Sequence, residues 1–328
     1  MVTNPILKID RSRQVPVYTV KKIVADEDMS KYRNRFLKEY DLAVVLTSDA
    51  DVFTEDGKLL LRFRKNALDR QNIENAYNAM KSFIRQKTKD RGVATGANKG
   101  TLTGYKPAVM SNIIGYYDKW SVQQKHKFKI SGVKPPSHCR ITRFTALYPD
   151  KWKRVIPLIE DIDSLYKKLC PTEHASQLAA AKKTAFRISD TAFSTVTTNL
   201  NFQTSPHTDS GDWPEGFGNL VVIEKGASYM GAVTAFPQYG VGVDCRTGDF
   251  LAMDVHQLHG NTPLIPKDET SQRLSLVSYL REGIVKCGDG KIYDPIKLQT
   301  NINNGITRRQ KRAQRDQGKS KTIRQPRH

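Results

Sequence analysis

The pair His207-Thr-Asp209 places an imidazole and a carboxylate two positions apart. In extended chain the side chains repeat every second residue, so both point to one side and can reach a single metal ion. A second imidazole, His259, sits in His259-Gly-Asn-Thr-Pro263, just past a strand-like run that ends at Val255. Two histidines and one carboxylate fill three positions around a metal and leave three open, the facial arrangement of non-haem Fe(II) oxygenases. Fourteen residues further on, Arg273-Leu-Ser275 opens another strand-like run. A guanidinium with a neighbouring hydroxyl can fork onto the distal carboxylate of 2-oxoglutarate, whose other end chelates the iron. A lone His-x-Asp carries little weight. The order and spacing of all four elements carry much more.

Each candidate has a competitor. His256 would face away from His259 if the strand ran on, and the Gly-x-x-Pro sequel of His259 marks a turn that gives a metal access. Asp212 and Asp254 could replace Asp209, but neither has a histidine two positions away. Arg281 stands at the far end of the strand that Arg273 opens and reads as a surface residue. The run Phe193–Phe202 has Val196, Leu200 and Phe202 on one face and Thr195, Thr197, Asn199 and Asn201 on the other. A polar inward face suits a barrel that holds a polar ligand, so Asn199 and Asn201 join Arg273 and Ser275 as candidate co-substrate contacts.

These residues need a scaffold. Residues 1–65 read as short strands and loops, including Leu42–Leu46 and Lys58–Arg62. The spacing Ile73, Tyr77, Met80, Ile84 predicts a helix that carries Lys81, Arg85, Lys87 and Lys89 near its end and stops at Gly92. Gly92 to Gly104, with Lys99, reads as a mobile loop, and it lacks the Gly-Lys-Ser/Thr of a phosphate loop. Asp150 is placed to cap a helix with Trp152, Val155, Ile159, Ile162, Tyr166 and Leu169 on one face, ending at Pro171. A shorter helix follows over 173–183. Beyond Phe193 the pattern turns to strands: 193–202, 219–224, 232–236, 241–245, 250–255 and 273–280. Helices first and antiparallel strands after predict an α+β chain. From Asn301 onward the sequence is polar and charged and reads as a disordered basic tail.

Several stretches resemble the TET/JBP family of DNA-base dioxygenases. They are Phe193-Ser-Thr-Val-Thr-Thr-Asn-Leu-Asn-Phe-Gln-Thr-Ser-Pro-His-Thr-Asp-Ser-Gly-Asp212, Gly216-Phe-Gly-Asn-Leu220, Gly248-Asp249, His259-Gly-Asn-Thr-Pro263 and Arg273-Leu-Ser-Leu-Val-Ser-Tyr-Leu-Arg281. The resemblance is densest over 193–287 and reaches back weakly to Cys139-Arg-Ile-Thr-Arg-Phe-Thr145. It implies a double-stranded β-helix (jelly-roll) barrel with an N-terminal helical flank. Three regions would follow: an α+β flank over 1–138, the dioxygenase domain with its supporting helices over 139–300, and the tail over 301–328. It implies Fe(II), 2-oxoglutarate and O2, with oxidation of a pyrimidine methyl group: 5-methylcytosine first, thymine next. The metal set falls on His207, Asp209 and His259, and the co-substrate pair on Arg273 and Ser275. An upstream arginine that touches the co-substrate in the TET branch would be Arg143 or Arg140. The chain departs from many relatives in having Gly231-Ala-Val233 where they carry Gly-Gly-Glu, and it lacks the cysteine-rich region of the animal members.

Composition points the same way. The formal net charge is +20, which attracts polyanions. Residues 308–328 carry nine Lys or Arg against one Asp, so the tail alone does not explain the excess. Four widely spaced cysteines without a Cys-x-x-Cys pair argue against a zinc ribbon and a disulfide framework. With no secretory signal pattern at the N-terminus and no long apolar run, an intracellular reducing compartment is expected, cytoplasm or nucleus. A base in duplex DNA reaches such a site only flipped out or single-stranded. The Tyr116–Trp120 cluster could stack it and the helix end near Lys87 could hold phosphates, or these aromatics are core. Two other readings stand beside this one: an oxygenase of the same fold acting on a protein side chain or small molecule, and a non-catalytic basic DNA-binding protein.

Overall fold

The computed structural model describes residues 3–32, 35–89, 91–95, 108–290 and 292–322. Its N-terminal strands are β1 (Ile6–Asp10), β2 (Val17–Val20), β3 (Val44–Leu46), β4 (Ala50–Thr54) and β5 (Leu59–Arg64). Helix α1 (Arg70–Met80), β6 (Ser111–Tyr117), α2 (Val122–Ser131) and β7 (Arg140–Ile141) lead into three helices: α3 (Arg143–Leu147), α4 (Pro149–Leu169) and α5 (Pro171–Ala181). The C-terminal half holds β8 (Thr195–Leu200), β9 (Gly218–Lys225), β10 (Tyr229–Gly231), β11 (Thr234–Phe236) and β12 (Val241–Val243). It continues with β13 (Phe250–Met253), β14 (Gly260–Asn261), β15 (Leu264–Pro266), β16 (Gln272–Tyr279), α6 (Glu282–Val285) and α7 (Pro295–Thr322).

Ten strands form one sheet in the order β1-β2-β4-β5-β13-β9-β16-β8-β6-β7, and four form a second in the order β14-β11-β12-β3. Strand alternation sorts side chains into two cores. In β13, Phe250 and Ala252 join the helices, whereas Leu251 and Met253 join the smaller sheet; in β9, Val221 and Ile223 go one way and Leu220 and Val222 the other. The result is three layers. Helix α4 buries Val155, Leu158, Ile159, Ile162, Tyr166 and Leu169, a stripe at helical spacing that packs with Ile73 and Met80 of α1 over the large sheet.

The fold departs from expectation at several points. Within the region 1–138, expected as an α+β flank, β1, β2, β4, β5 and β6 extend the large sheet and β3 the small one. Helix α1 is capped by Asp69, whose carboxylate accepts from the Asn72 amide, and it ends at Met80; Phe83 and Ile84 are buried beyond it in turns. Asp150 caps nothing, because Pro149 already begins α4 and Tyr148 is the boundary residue. Pro171 likewise starts α5 rather than merely ending α4. Of the predicted glycine-rich loop, residues 92–95 form a short 3-10 turn, and residues 96–107, with Lys99 and Tyr105, lie outside the described residues. Of the predicted disordered tail, residues 301–322 instead belong to α7, anchored by Ile302 against Trp120 and Phe128, and residues 323–328 lie outside the described residues. Cys139 and Cys287 are joined as a disulfide across 148 positions of sequence, contrary to the reading of isolated thiols, while Cys170 and Cys245 are free and buried. Among the described residues, no helix is long and apolar enough to cross a membrane.

Candidate active site

The metal-binding candidates are aligned by main chain. His207 donates its amide to the His259 carbonyl at 2.9 Å, and His259 returns the bond at 3.0 Å. Two residues later the Asp209 amide donates to the Val255 carbonyl at 3.0 Å. The segment after β8 is thereby laid against the segment before β14, with the two imidazoles side by side at a centroid distance of 4.7 Å. The Asp209 carboxylate lies 3.5 Å from His207 Nε2 and 3.7 Å from His259 Nε2. One donor atom from each of the three falls within 4.8 Å of the others.

The outer nitrogens orient the inner ones. His207 Nδ1 meets the Ser205 carbonyl at 2.7 Å and His259 Nδ1 meets the Gln257 carbonyl at 3.0 Å. A carbonyl only accepts, so each Nδ1 carries the proton and each Nε2 presents its lone pair toward Asp209, as a metal requires. Burial, with the neighbouring His207 second, lowers the His259 pKa and keeps that imidazole neutral. His256 takes another course: it sits in the turn after β13, where its Nε2 meets the Trp213 carbonyl at 3.2 Å. Asp254 serves the local turn, accepting from the His256 amide and Gln257 Nε2.

A cavity of about 240 Å³ opens on these three residues. One of its walls is a single strand face: Arg273, Ser275, Val277, Tyr279 and Arg281 line it in turn. At about 3.3 Å per residue, Arg273 and Arg281 stand roughly 26 Å apart along the chain. Arg273 is 5% exposed, yet its Nε and one terminal nitrogen have no hydrogen-bond partner. A buried guanidinium with two idle donors is costly unless an anion meets it. This is the fit expected of the distal carboxylate of 2-oxoglutarate, with the Ser275 hydroxyl one step along the same face.

Asn199 also lines the cavity, where its side-chain oxygen accepts from the Ser111 hydroxyl. Asn201 does not. It lies just past β8 with φ at 47°, accepts from the Arg273 amide at 2.7 Å and donates to the Ser271 carbonyl at 2.9 Å. It holds the start of β16, and thus Arg273, in place. Arg143 is exposed on α3, away from the cavity. Arg140 donates to the Lys119 carbonyl at 2.7 Å and covers the Tyr117 ring. The upstream arginine that does line the cavity is Arg91, which sequence reading missed because only folding brings it near.

Arg281 is not a surface residue. It is 7% exposed and pairs with Asp212 at 3.0 Å and Asp118 at 3.2 Å, while donating to the Ser210 carbonyl at 2.8 Å. Gly211, at φ +86°, leaves room for it: a Cβ there would sit 2.7 Å from the guanidinium. Burial, then the neighbouring Asp209, pushes the Asp212 carboxyl up, and Arg281 opposes that shift. The aromatic cluster splits. Tyr116 packs edge-on against Phe186 and Trp120 against Phe128, both as core, whereas Tyr117 lines the cavity. Lys87 is exposed and outside it.

Comparison with known proteins adds the following. Residues 128–282 match the Tet_JBP family, described as the oxygenase domain of the 2OGFeDO superfamily. The bifunctional helicase and thymine dioxygenase JBP2 of Leishmania tarentolae is 33% identical over 192 residues, 58% of this chain and 16% of that protein. Thymine dioxygenase JBP1 of Trypanosoma brucei brucei is 35% identical over 176 residues, 53% of this chain and 19% of that protein. The chain thus spans less than a fifth of the length of these two relatives. Among solved structures, NgTET1 in complex with 5mC DNA has a similar fold, with a TM-score of 0.52 at 11% identity over 88% of this chain and 90% of that one.

Proposed function

Because residues 128–282 carry the oxygenase domain of the TET/JBP family, we propose that this chain is an Fe(II)- and 2-oxoglutarate-dependent dioxygenase. Its substrate is the methyl group of a pyrimidine in DNA, 5-methylcytosine first and thymine next. The observation that carries this reading is the cavity's composition: a three-donor metal set facing one strand that ends in an unpartnered buried Arg273. The double-stranded β-helix belongs to the same reading. Along the chain β8, β9, β13 and β16 of the large sheet alternate with the His207 segment, the β11–β12 hairpin and β14 on the small-sheet side.

When bound, iron, 2-oxoglutarate and O2 supply oxidative decarboxylation of the co-substrate to succinate, coupled to hydroxylation of the substrate methyl. His207, Asp209 and His259 would hold the metal with one donor atom each and would leave it open to co-substrate and oxygen. Arg273 and Ser275 fix the far carboxylate. Tyr279 and Tyr117 would flank a flipped base, and Asp212, held by Arg281, would offer a polar group to its edge. The near-complete burial of His259, Arg273, Tyr279 and Arg281 keeps water from that edge.

The test is mass spectrometry of nucleosides from oligonucleotides that carry 5-methylcytosine or only thymine, with succinate measured in parallel. Thymine has support of its own, since the relatives at 33–35% identity are thymine dioxygenases. Succinate release stimulated by neither oligonucleotide would remove DNA as the substrate and favour a protein side chain or small molecule.

A further inference from the structure

We propose that α2 and α7 together form a docking surface for the phosphate backbone of duplex DNA, beside the cavity that takes the base. The proposal rests on the reading of DNA as substrate and adds where the duplex lies. From Lys119 to Pro149 there are seven Lys or Arg and no Asp or Glu; from Pro295 to Arg315 there are six and again no acid. The fold brings these two stretches together. Trp120, Phe128 and Ile302 form a buried cluster between the helices, with Leu298 and Ile306 packed on it. Gly305 lets them approach, since a Cβ there would lie 2.5 Å from the Ser131 carbonyl oxygen. Arg309 closes the contact by donating to the Lys129 carbonyl at 3.2 Å.

What remains outside is charge. Lys125, Lys127 and Lys129 of α2 and Arg308, Lys311, Arg312 and Arg315 of α7 are exposed. Among the described residues none of these seven makes an ion pair with a carboxylate. A solvated surface on an ordinary protein mixes signs, whereas exposed charge of a single sign around two packed helices, with Lys127 on the other side of α2 from Lys125 and Lys129, matches a uniformly charged polyanion. Helix α7 has 28 residues, about 42 Å at 1.5 Å per residue, which is longer than one turn of duplex. From Thr307 to Asp316 its only apolar side chain is Ala313, which disfavours insertion into a lipid surface. The face is also continuous with the cavity. Tyr117, which lines it, pairs in register with Arg140, whose guanidinium covers the Tyr117 ring and donates to Lys119. Phosphate contacts position a duplex without reading its sequence, so base selection stays with the cavity.

The experiment uses the full chain without iron, a short fluorescein-labelled duplex, and anisotropy between about 50 and 200 mM salt. Two triple variants are compared with wild type: Lys125→Gln/Lys127→Gln/Lys129→Gln and Lys311→Gln/Arg312→Gln/Arg315→Gln. Removing one phosphate-neutralising side chain flattens the slope of log K against log salt by about 0.9, so each triple variant should lose about 2.7. Wild-type affinity should then fall about 40-fold more steeply than the variant's across that range. Turnover on a single-stranded trinucleotide, too short to reach the helices, should be unchanged. Unaltered slopes in both variants, with oxidation of DNA intact, would overturn the surface and leave the enzyme reading standing. Flattened slopes with no oxidation of any pyrimidine would do the reverse. Binding to phosphatidylserine vesicles that depends on these lysines and arginines, without a change on DNA, would assign the face to a membrane and refute the proposal.

Discussion

Arg273 offers the sharpest test, because a co-substrate grip and a structural arginine predict opposite effects on stability. Its side chain is buried and two of its nitrogens lack partners. Replacing it by Met keeps the volume and removes the charge. Exchanging an uncompensated buried ion for an apolar side chain is neutral or stabilising by about 1–4 kcal/mol. At roughly 2 °C per kcal/mol for a chain of this size, ligand-free Arg273→Met should melt at the wild-type temperature or a few degrees above it. Co-substrate should then fail to protect it. A ligand at about 100 times its Kd stabilises by about 2.7 kcal/mol, so 2-oxoglutarate with Mn(II) should raise the wild-type Tm by about 5 °C and leave the variant's unmoved. The KM for 2-oxoglutarate should rise at least 10-fold, the value of one charge-assisted hydrogen bond at the low end of about 1.5 kcal/mol. Differential scanning fluorimetry reads the first two effects and succinate release the third. A ligand-free variant several degrees less stable than wild type would refute the argument, since the guanidinium would then be holding the fold.

His207→Ala, Asp209→Ala and His259→Ala should each abolish binding of a divalent ion by calorimetry, while His256→Ala retains it; the reverse pattern for His256 and His259 would reassign the third ligand. Arg281→Ala should leave the KM for 2-oxoglutarate within about 3-fold, because in the proposed binding mode Arg273 holds that carboxylate while Arg281 is engaged by Asp118 and Asp212. The same change should lower Tm, since it strands the buried Asp118 and Asp212 carboxylates at a cost of about 3–5 kcal/mol. Ile302→Ala should destabilise the packing of α7 by about 2–5 kcal/mol, seen as faster amide exchange over 295–309, whereas in a disordered tail it would change nothing.

The convergence of His207, Asp209 and His259, the proposed metal set, was legible in the sequence because its geometry is local: a His-x-Asp in extended chain, and a histidine beside a turn. The strands around it were legible to within a few residues for the same reason. Arg91 was not, since it reaches the cavity through a contact distant in sequence, donating to the Asn112 carbonyl of β6, and within the aromatic cluster only the pairing of β6 with β8 and β7 singles out Tyr117. Arg281 was misread although its parity was available: it has the same odd numbering as Arg273, Ser275, Val277 and Tyr279, and so shares their inward face. Helix α7 was missed because its charge outweighed a clear spacing, Leu298, Ile302 and Ile306, four residues apart. That stripe is narrow and finds its partner only in Trp120 and Phe128, far away in sequence. Cys139 and Cys287 likewise meet only through the fold.

The inward face of β16 works as a ruler. In the proposed function, co-substrate grip and cavity wall are graduations on one strand, spaced two residues apart and held in register by β8 on one side and β9 on the other, and the base edge follows just past its end at Arg281. In that reading the distance from the gripped carboxylate to the selected group would be set by covalent geometry rather than by loops. On that scale a new target would be chosen by recutting a single mark, such as Val277 or Tyr279, which line the cavity, while the scale itself stays fixed.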